Sequence, residues 1–201
     1  MPYLLLIIGC FLLFFSVLIL NTPRLLTFDL AIVEWASRHR TESLNQITTL
    51  LSAIGGMPAV LFFTTLWCFY LTWYKKYTYI LLICLGLIGS GALAWLLKYW
   101  IARPRPPEIF HLVQSYGASF PSAHSVYAAA LSCLVIYLYR EHSKYSYIYC
   151  FAVIWFILMG CSRVYLGVHF PSDVLAGWGI SFIWITLLYI VLEHTIKRKI
   201  N

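Results

Sequence analysis

The sequence predicts an all-α integral membrane protein, a six-helix bundle with an interfacial helical segment between helices 1 and 2. Three observations carry that prediction. Of the 201 residues, 62% are hydrophobic and only 10% are charged, against roughly 25% charged residues in soluble domains. Six apolar runs, at about residues 3–20, 57–74, 77–97, 122–139, 146–162 and 171–192, each approach the ~20 residues needed to cross hydrocarbon. The stretches between them leave no room for a separate soluble domain, so residues 1–201 read as one transmembrane domain with its chemistry in the region 98–173.

The first run reads as a retained helix. Met1-Pro2-Tyr3 lacks the positive charge that opens a signal peptide, and Asn21-Thr22-Pro23 is no small-residue cleavage site. Between the first two spans, Leu44, Ile47, Leu51 and Ile54 recur at the spacing of one helix face. The polar group Arg38, His39, Arg40 and Glu42 precedes them, so residues 28–54 are expected to lie along the membrane as an interfacial helix or helix pair. Such a segment either shapes a lipid entrance or forms a packed lid.

The second and third spans join at Lys75-Lys76, and Gly86, Gly89 and Gly91 in the third mark a face that a neighbouring helix could approach closely. Lys98 closes this span. Pro104, Pro106 and Pro107 forbid a helix running through them, so the segment from Ile101 to Phe120 is a loop. All six cysteines fall inside predicted spans and read as buried apolar residues rather than a disulfide framework.

The formal charge of +7 comes from basic residues scattered over loops, which fits membrane orientation better than nucleic-acid binding. Six spans place both termini on one side with Lys75, Lys76, Arg140, Lys144, Lys197, Arg198 and Lys199. The other side holds Arg24, Arg38, Arg40, Lys98, Arg103, Arg105 and Arg163. The tally is level until Lys98, Arg105 and Arg163, which a site would require in either topology, are set aside. The excess then places the termini in the cytoplasm and the site on the outer, periplasmic face of the cytoplasmic membrane.

That site is read from three stretches: KYWIARPRP (98–106), PSAH (121–124) and SRVYLGVHFPSD (162–173). Ionisable residues between apolar runs are costly and point to function. Lys98, Arg105 and Arg163 offer fixed positive charge suited to phosphate oxygens. Ser122 stands where a helix would begin, so its hydroxyl and the following backbone N–H groups, that of Ala123 included, would face an anion. Asp173, four residues after His169, could fix that ring's tautomer and free its other nitrogen as a nucleophile. His124 could then protonate the leaving oxygen and later activate water. Asp173 is the sole carboxylate in the three stretches, so neither a metal nor another cofactor is expected. His39, His111, His142 and His194 are expected to be interfacial, with no part in the site.

In order and spacing, these stretches resemble the three-part signature of the type 2 phosphatidic acid phosphatase family, which also includes vanadium haloperoxidases. The resemblance covers Lys98 and Arg105-Pro106, then Pro121 to His124, then Arg163, His169 and Asp173. It implies a phosphohistidine nucleophile at His169, an orienting carboxylate at Asp173 and a general acid at His124. It implies phosphate ligands at Lys98, Arg105, Ser122 and Arg163. The family often has glycine where this chain has Ala123, whose side chain disfavours a positive φ. Arg103 is not required by the signature and is expected to face lipid headgroups. The implied activity is removal of a terminal phosphate from a membrane lipid, with undecaprenyl diphosphate preferred over phosphatidylglycerol phosphate, another phospholipid or lipid A. A phosphotransferase using the same histidine and a non-enzymatic anion-binding membrane protein are the alternatives. Oligomeric state is left open.

Overall fold

The computed structural model describes residues 2–197, with side chains through Leu192. Lys197, Arg198 and Lys199 of the charge tally, and His194, therefore lie outside the described side chains. Among the described residues there are eight α-helices and no strand. Each of the six apolar runs is a helix: α1 (Pro2–Leu20), α4 (Met57–Trp73), α5 (Tyr77–Ile101), α6 (Ala123–Leu138), α7 (Tyr145–Tyr165) and α8 (Pro171–Lys197). The expected interfacial segment is a pair, α2 (Pro23–Arg38) and α3 (Glu42–Gly55). Pro23 opens α2 at its first position, and Thr41 caps α3 by accepting from Leu44 N–H. α3 runs into α4 through a bend of 55° at Gly56, so the two together have the length and hydropathy of one broken span.

α1, α5, α7 and α8 are each long and apolar enough to cross a membrane by themselves. α6 has only 16 residues, about 24 Å. Its sides are covered by α5, α7 and α8, so protein rather than lipid sets its length. Leu82, Ala129, Leu134, Phe182, Ile185 and Tyr189 form the core where these helices meet. Buried hydroxyls add polar ties of the kind that join helices in an apolar medium. Ser132 donates to the Ala152 carbonyl at 2.8 Å, Ser181 to the Val126 carbonyl at 2.8 Å, and Tyr137 pairs with Thr186 at 2.9 Å.

α8 is the hub, with α1, α5, α6 and α7 all packed on it. Small residues permit this. A Cβ added at Gly9 would stand 3.0 Å from the Gly179 carbonyl, and one at Gly179 would stand 2.8 Å from the Gly9 carbonyl. The expected packing face on α5 is present at Gly86 and Gly89, where a Cβ would meet Ile185 at 2.7 Å and Trp184 at 2.2 Å. Gly91 has more room, with its nearest neighbour Tyr127 at 3.6 Å.

The cysteines depart from expectation. Cys133 is buried and Cys68 half-buried, but Cys10, Cys84, Cys150 and Cys161 lie on the helix exterior. A bilayer is as apolar as a protein core, so hydropathy alone does not tell which side such a residue faces. The same holds for Phe11, Phe62, Phe69, Ile88 and Trp95, all exposed on the bundle surface.

Candidate active site

The three stretches converge at one end of the bundle. α5 continues one turn beyond the expected end and stops at Ile101, where Ala102 takes a left-handed conformation (φ 46°) and donates its N–H to the Lys98 carbonyl at 3.0 Å. The proline-rich loop that follows is folded back by cations. Lys98 Nζ donates to the Ala118 carbonyl at 2.7 Å, and Arg105 donates to the carbonyls of Gly117 at 3.0 Å and Tyr116 at 2.8 Å. His111, expected to be interfacial, braces this loop, with its Nε2 2.9 Å from the Pro106 carbonyl.

Arg105 also reaches the connection between α7 and α8. Its Nη1 donates to the Val168 carbonyl at 2.8 Å and lies 3.2 Å from His169 Nε2. Burial lowers the Arg105 pKa, an effect that Asp173 opposes. That connection is shaped by Gly167, which adopts φ 75°; a Cβ there would stand 1.9 Å from the Phe110 carbonyl oxygen, so only glycine fits. His169 follows two residues later and is buried.

The tautomer of His169 follows from its two neighbours. Arg105 can only donate, so Nε2 must accept. The proton then lies on Nδ1, which faces Asp173 Oδ2 at 3.4 Å. Asp173 Oδ2 also accepts from the Phe170 N–H at 2.9 Å and from the Ser119 hydroxyl. Burial pushes the His169 pKa down to about 4, against the opposing pull of Asp173 and in concert with Arg105 and Arg163. The ring is therefore neutral at neutral pH, with the Nε2 lone pair directed at the cationic side of the site.

α6 begins beside this pair. The Phe120-Pro121 peptide bond is cis, and Ser122 caps the helix, its Oγ accepting from Ser125 N–H at 3.4 Å and from Ser125 Oγ–H at 3.0 Å. Ser122 N–H donates to the Asp173 carbonyl at 3.0 Å, which fixes the start of α6 against the start of α8. Ala123 is the first helical residue and has no positive φ, so the conformational objection to alanine does not arise. His124 lies within electrostatic reach of Arg163, His169 and Arg105.

α3 closes over the opposite side. The Ser52 carbonyl is 3.1 Å from His124 Nε2, and the Ser52 hydroxyl accepts from Arg163 Nη1. Arg163 is 3% exposed, and among the described residues its Nε has no hydrogen-bond partner. The turn between α2 and α3 is pinned by Arg40, which donates to the carbonyls of Phe110 at 2.6 Å and Tyr165 at 2.8 Å. The α2–α3 pair thus roofs the site.

The structure corrects the reading of Arg103. Instead of facing headgroups it is 8% exposed, lies over the Phe170 ring at 3.9 Å, and bridges Asp173 at 2.7 Å and Asp29 of α2 at 2.8 Å. Sequence reasoning also passed over Asp29, Ser52 and Ser119. A signal existed for Asp29, since it is one of seven acidic residues in the chain and stands between apolar Phe28 and Leu30 in α2. Among the described residues no group of three or more His, Cys, Asp or Glu side chains gathers as a metal site would require.

Three cations, two imidazoles, one oriented carboxylate and a capped helix N-terminus can together hold a phosphoryl group and carry it on a nitrogen. Residues 79–197 match the PAP2 superfamily. Over 92% of this chain and 94% of its own length, phosphatidylglycerophosphatase B of Bacillus subtilis is 33% identical. An undecaprenyl-diphosphatase of Sulfolobus acidocaldarius is 29% identical over 59% of this chain and 53% of its own. The crystal structure of a transmembrane PAP2 type phosphatidylglycerolphosphate phosphatase from Bacillus subtilis superimposes with a TM-score of 0.84 at 30% identity, covering 94% of this chain and 98% of that one.

Proposed function

Because this chain belongs to the PAP2 superfamily and is a membrane lipid phosphatase of that type, we propose that it removes the terminal phosphate of a lipid through a phosphohistidine at His169. The observation that carries this mechanism is the alignment of Arg105, His169 and Asp173, which leaves Nε2 as the lone-pair nitrogen. In the first step Nε2 attacks phosphorus, a P–N bond forms, the bond from phosphorus to the lipid oxygen breaks, and that oxygen takes a proton from His124, which enters the step as imidazolium stabilised by the negative charge of the bound phosphate. The Nδ1–H of the now cationic ring is stabilised by Asp173. In the second step His124 accepts a proton from water, which attacks phosphorus and releases inorganic phosphate and neutral His169.

Lys98, Arg105, Arg163, the Ser122 hydroxyl and the N-terminal amides of α6, beginning at Ala123, hold the phosphoryl oxygens. Each such donor is worth roughly 3 kcal/mol in a transition state. An apolar cavity of about 420 Å³ between α4, α6 and α7, lined by Val60, Phe63, Trp67, Leu131, Val135 and Trp155, runs along α6 away from His124 and suits a lipid tail.

The substrate reading favoured here is phosphatidylglycerol phosphate, supported by similarity along nearly the whole length of a phosphatidylglycerophosphatase. Undecaprenyl diphosphate, preferred from the sequence, is the second reading, supported by the undecaprenyl-diphosphatase relative. Phosphate release from both lipids, with EDTA present, tests the proposal. The expected result is rapid release from one of them that His169→Ala abolishes; release that survives this substitution would refute the mechanism. Label that leaves the lipid but never appears as free phosphate would identify a phosphotransferase instead.

A further inference from the structure

Among the described residues the buried ionisable side chains with formal or potential charge include Asp29, Arg103, Arg163, His169 and Asp173. The last three have been given roles above. Asp29 and Arg103 have none; Asp29 pairs with Arg103, and Arg103 pairs in turn with Asp173. Arg103 Nη1 donates to Asp173 Oδ1 at 2.7 Å and to Ser172 Oγ at 2.7 Å, while Nη2 donates to Asp29 Oδ2 at 2.8 Å. Asp29 accepts in addition from the Ser172 N–H at 3.0 Å and from the Ser172 hydroxyl. Asp29 is 2% exposed and Asp173 is fully buried.

Holding α2 against α8 does not require charge, since apolar side chains of the same size pack as well or better in such a place. What a second carboxylate adds is electrostatic. When Nε2 bonds to phosphorus, the His169 ring becomes cationic and depends on the negative charge of Asp173. A guanidinium at 2.7 Å from Asp173 would by itself cancel much of that charge. Asp29, on the far side of the same guanidinium at 2.8 Å, cancels the cation in turn and leaves one net negative charge on the three groups. The geometry acts in the same direction, because Arg103 occupies Oδ1 and leaves Oδ2 to His169, Ser119 and the Phe170 N–H.

We infer that Asp29 and Arg103 are positioning residues for phosphoryl transfer: the buried Asp29–Arg103 pair orients Asp173 and preserves its negative charge for His169. This rests on the phosphohistidine reading above. It extends the site from the three signature stretches to α2, a helix outside all of them.

The test compares Asp29→Asn, Asp29→Glu, Arg103→Gln and Ser172→Ala with the unaltered protein, each purified in detergent and checked for folding by gel filtration and thermal melting. Steady-state phosphate release is read as separate kcat and KM values. Asp29→Asn removes the charge with little change of shape, and a fall in kcat of roughly 10–100-fold with KM within about 2-fold is expected, by analogy with the loss when carboxylate partners of metal-bound histidines are removed. Asp29→Glu should recover part of that loss, and Ser172→Ala should show a smaller loss of the same kind. Folded Asp29→Asn protein with unaltered kcat, or Asp29→Glu no better than Asp29→Asn, would overturn the inference. If Asp29→Asn does not fold, Ser172→Ala decides by the same criterion.

A second readout separates this inference from the phosphatase reading. In ¹⁵N-histidine NMR, the His169 signals, identified by their absence in His169→Gln, should move toward those of a more weakly hydrogen-bonded Nδ1–H in Asp29→Asn. If the unaltered protein released no phosphate from any lipid but these signals moved, the phosphatase reading would fall and the positioning role would stand. Signals that do not move would overturn the positioning role itself.

Discussion

The proton on His169 Nδ1 is assigned by Arg105, which cannot accept, and by Asp173, which faces that nitrogen. The pH dependence follows. With the His169 pKa lowered to about 4 by burial, the ring remains a neutral nucleophile well below the ~6.5 of a free histidine. The acidic limb of kcat/KM should therefore lie near pH 4 where His169 governs it, with Asp173, Arg105 and Arg163 as the charges facing the ring. A limb attributable to this residue at pH 6.5 would contradict the burial argument. The sign for stability is also fixed. A folded pKa below the unfolded value means that the benefit of a neutral His169 is complete above ~6.5 and is lost as pH falls toward 4, so thermal melting should drop over that interval and His169→Gln should flatten the drop. At this scale the sequence was legible wherever a residue belonged to a fixed spacing: Lys98 with Arg105, and Arg163 with His169 and Asp173. Asp29 and Ser52 were not, because their partners Ser172 and Arg163 lie 143 and 111 residues away and no local pattern records contacts across such distances.

Helices were legible from hydropathy because each of the six runs is apolar over most of its length, and α3 from the periodicity at Leu44, Ile47 and Leu51. Their ends were less so. α5 passes Lys98 and stops only after Ile101, since the restriction imposed by Pro104 acts on the residue before it and not a full turn earlier. Packing partners were the least legible, because hydropathy reports burial in lipid and in protein alike. The contact of α1 with α8 shows what small residues add. Gly179→Ala places a methyl 2.8 Å from the Gly9 carbonyl and 2.9 Å from the Leu13 backbone nitrogen, where backbone rather than a movable side chain must give way. A loss of roughly 1–3 kcal/mol is expected, visible as a lower melting temperature in detergent. Gly91→Ala, with its nearest neighbour at 3.6 Å, should leave that temperature nearly unchanged.

For the molecule as a whole, the multi-pass membrane character is shared with its relatives, whereas the face on which the site opens rests on the distribution of lysine and arginine. If that distribution sets orientation, a cysteine introduced at exposed Tyr116, in the site loop, should react with an impermeant thiol reagent added outside intact cells, once the native cysteines are replaced. One at Tyr147, at the opposite end of α7, should react only after the membrane is opened; the reverse pattern would invert the topology. The contact between α1 and α8 also bears on how the protein is made. At 5–20 residues per second, the ~150 residues separating these helices take roughly 8–30 s to synthesise, so α1 leaves the ribosome long before its partner exists. During that interval the glycine face of α1 has only lipid or the insertion machinery to lie against. α8 is also the helix that brings Asp173 to a waiting Arg103, so the seating of α1 and the assembly of the site wait on the same event in biogenesis.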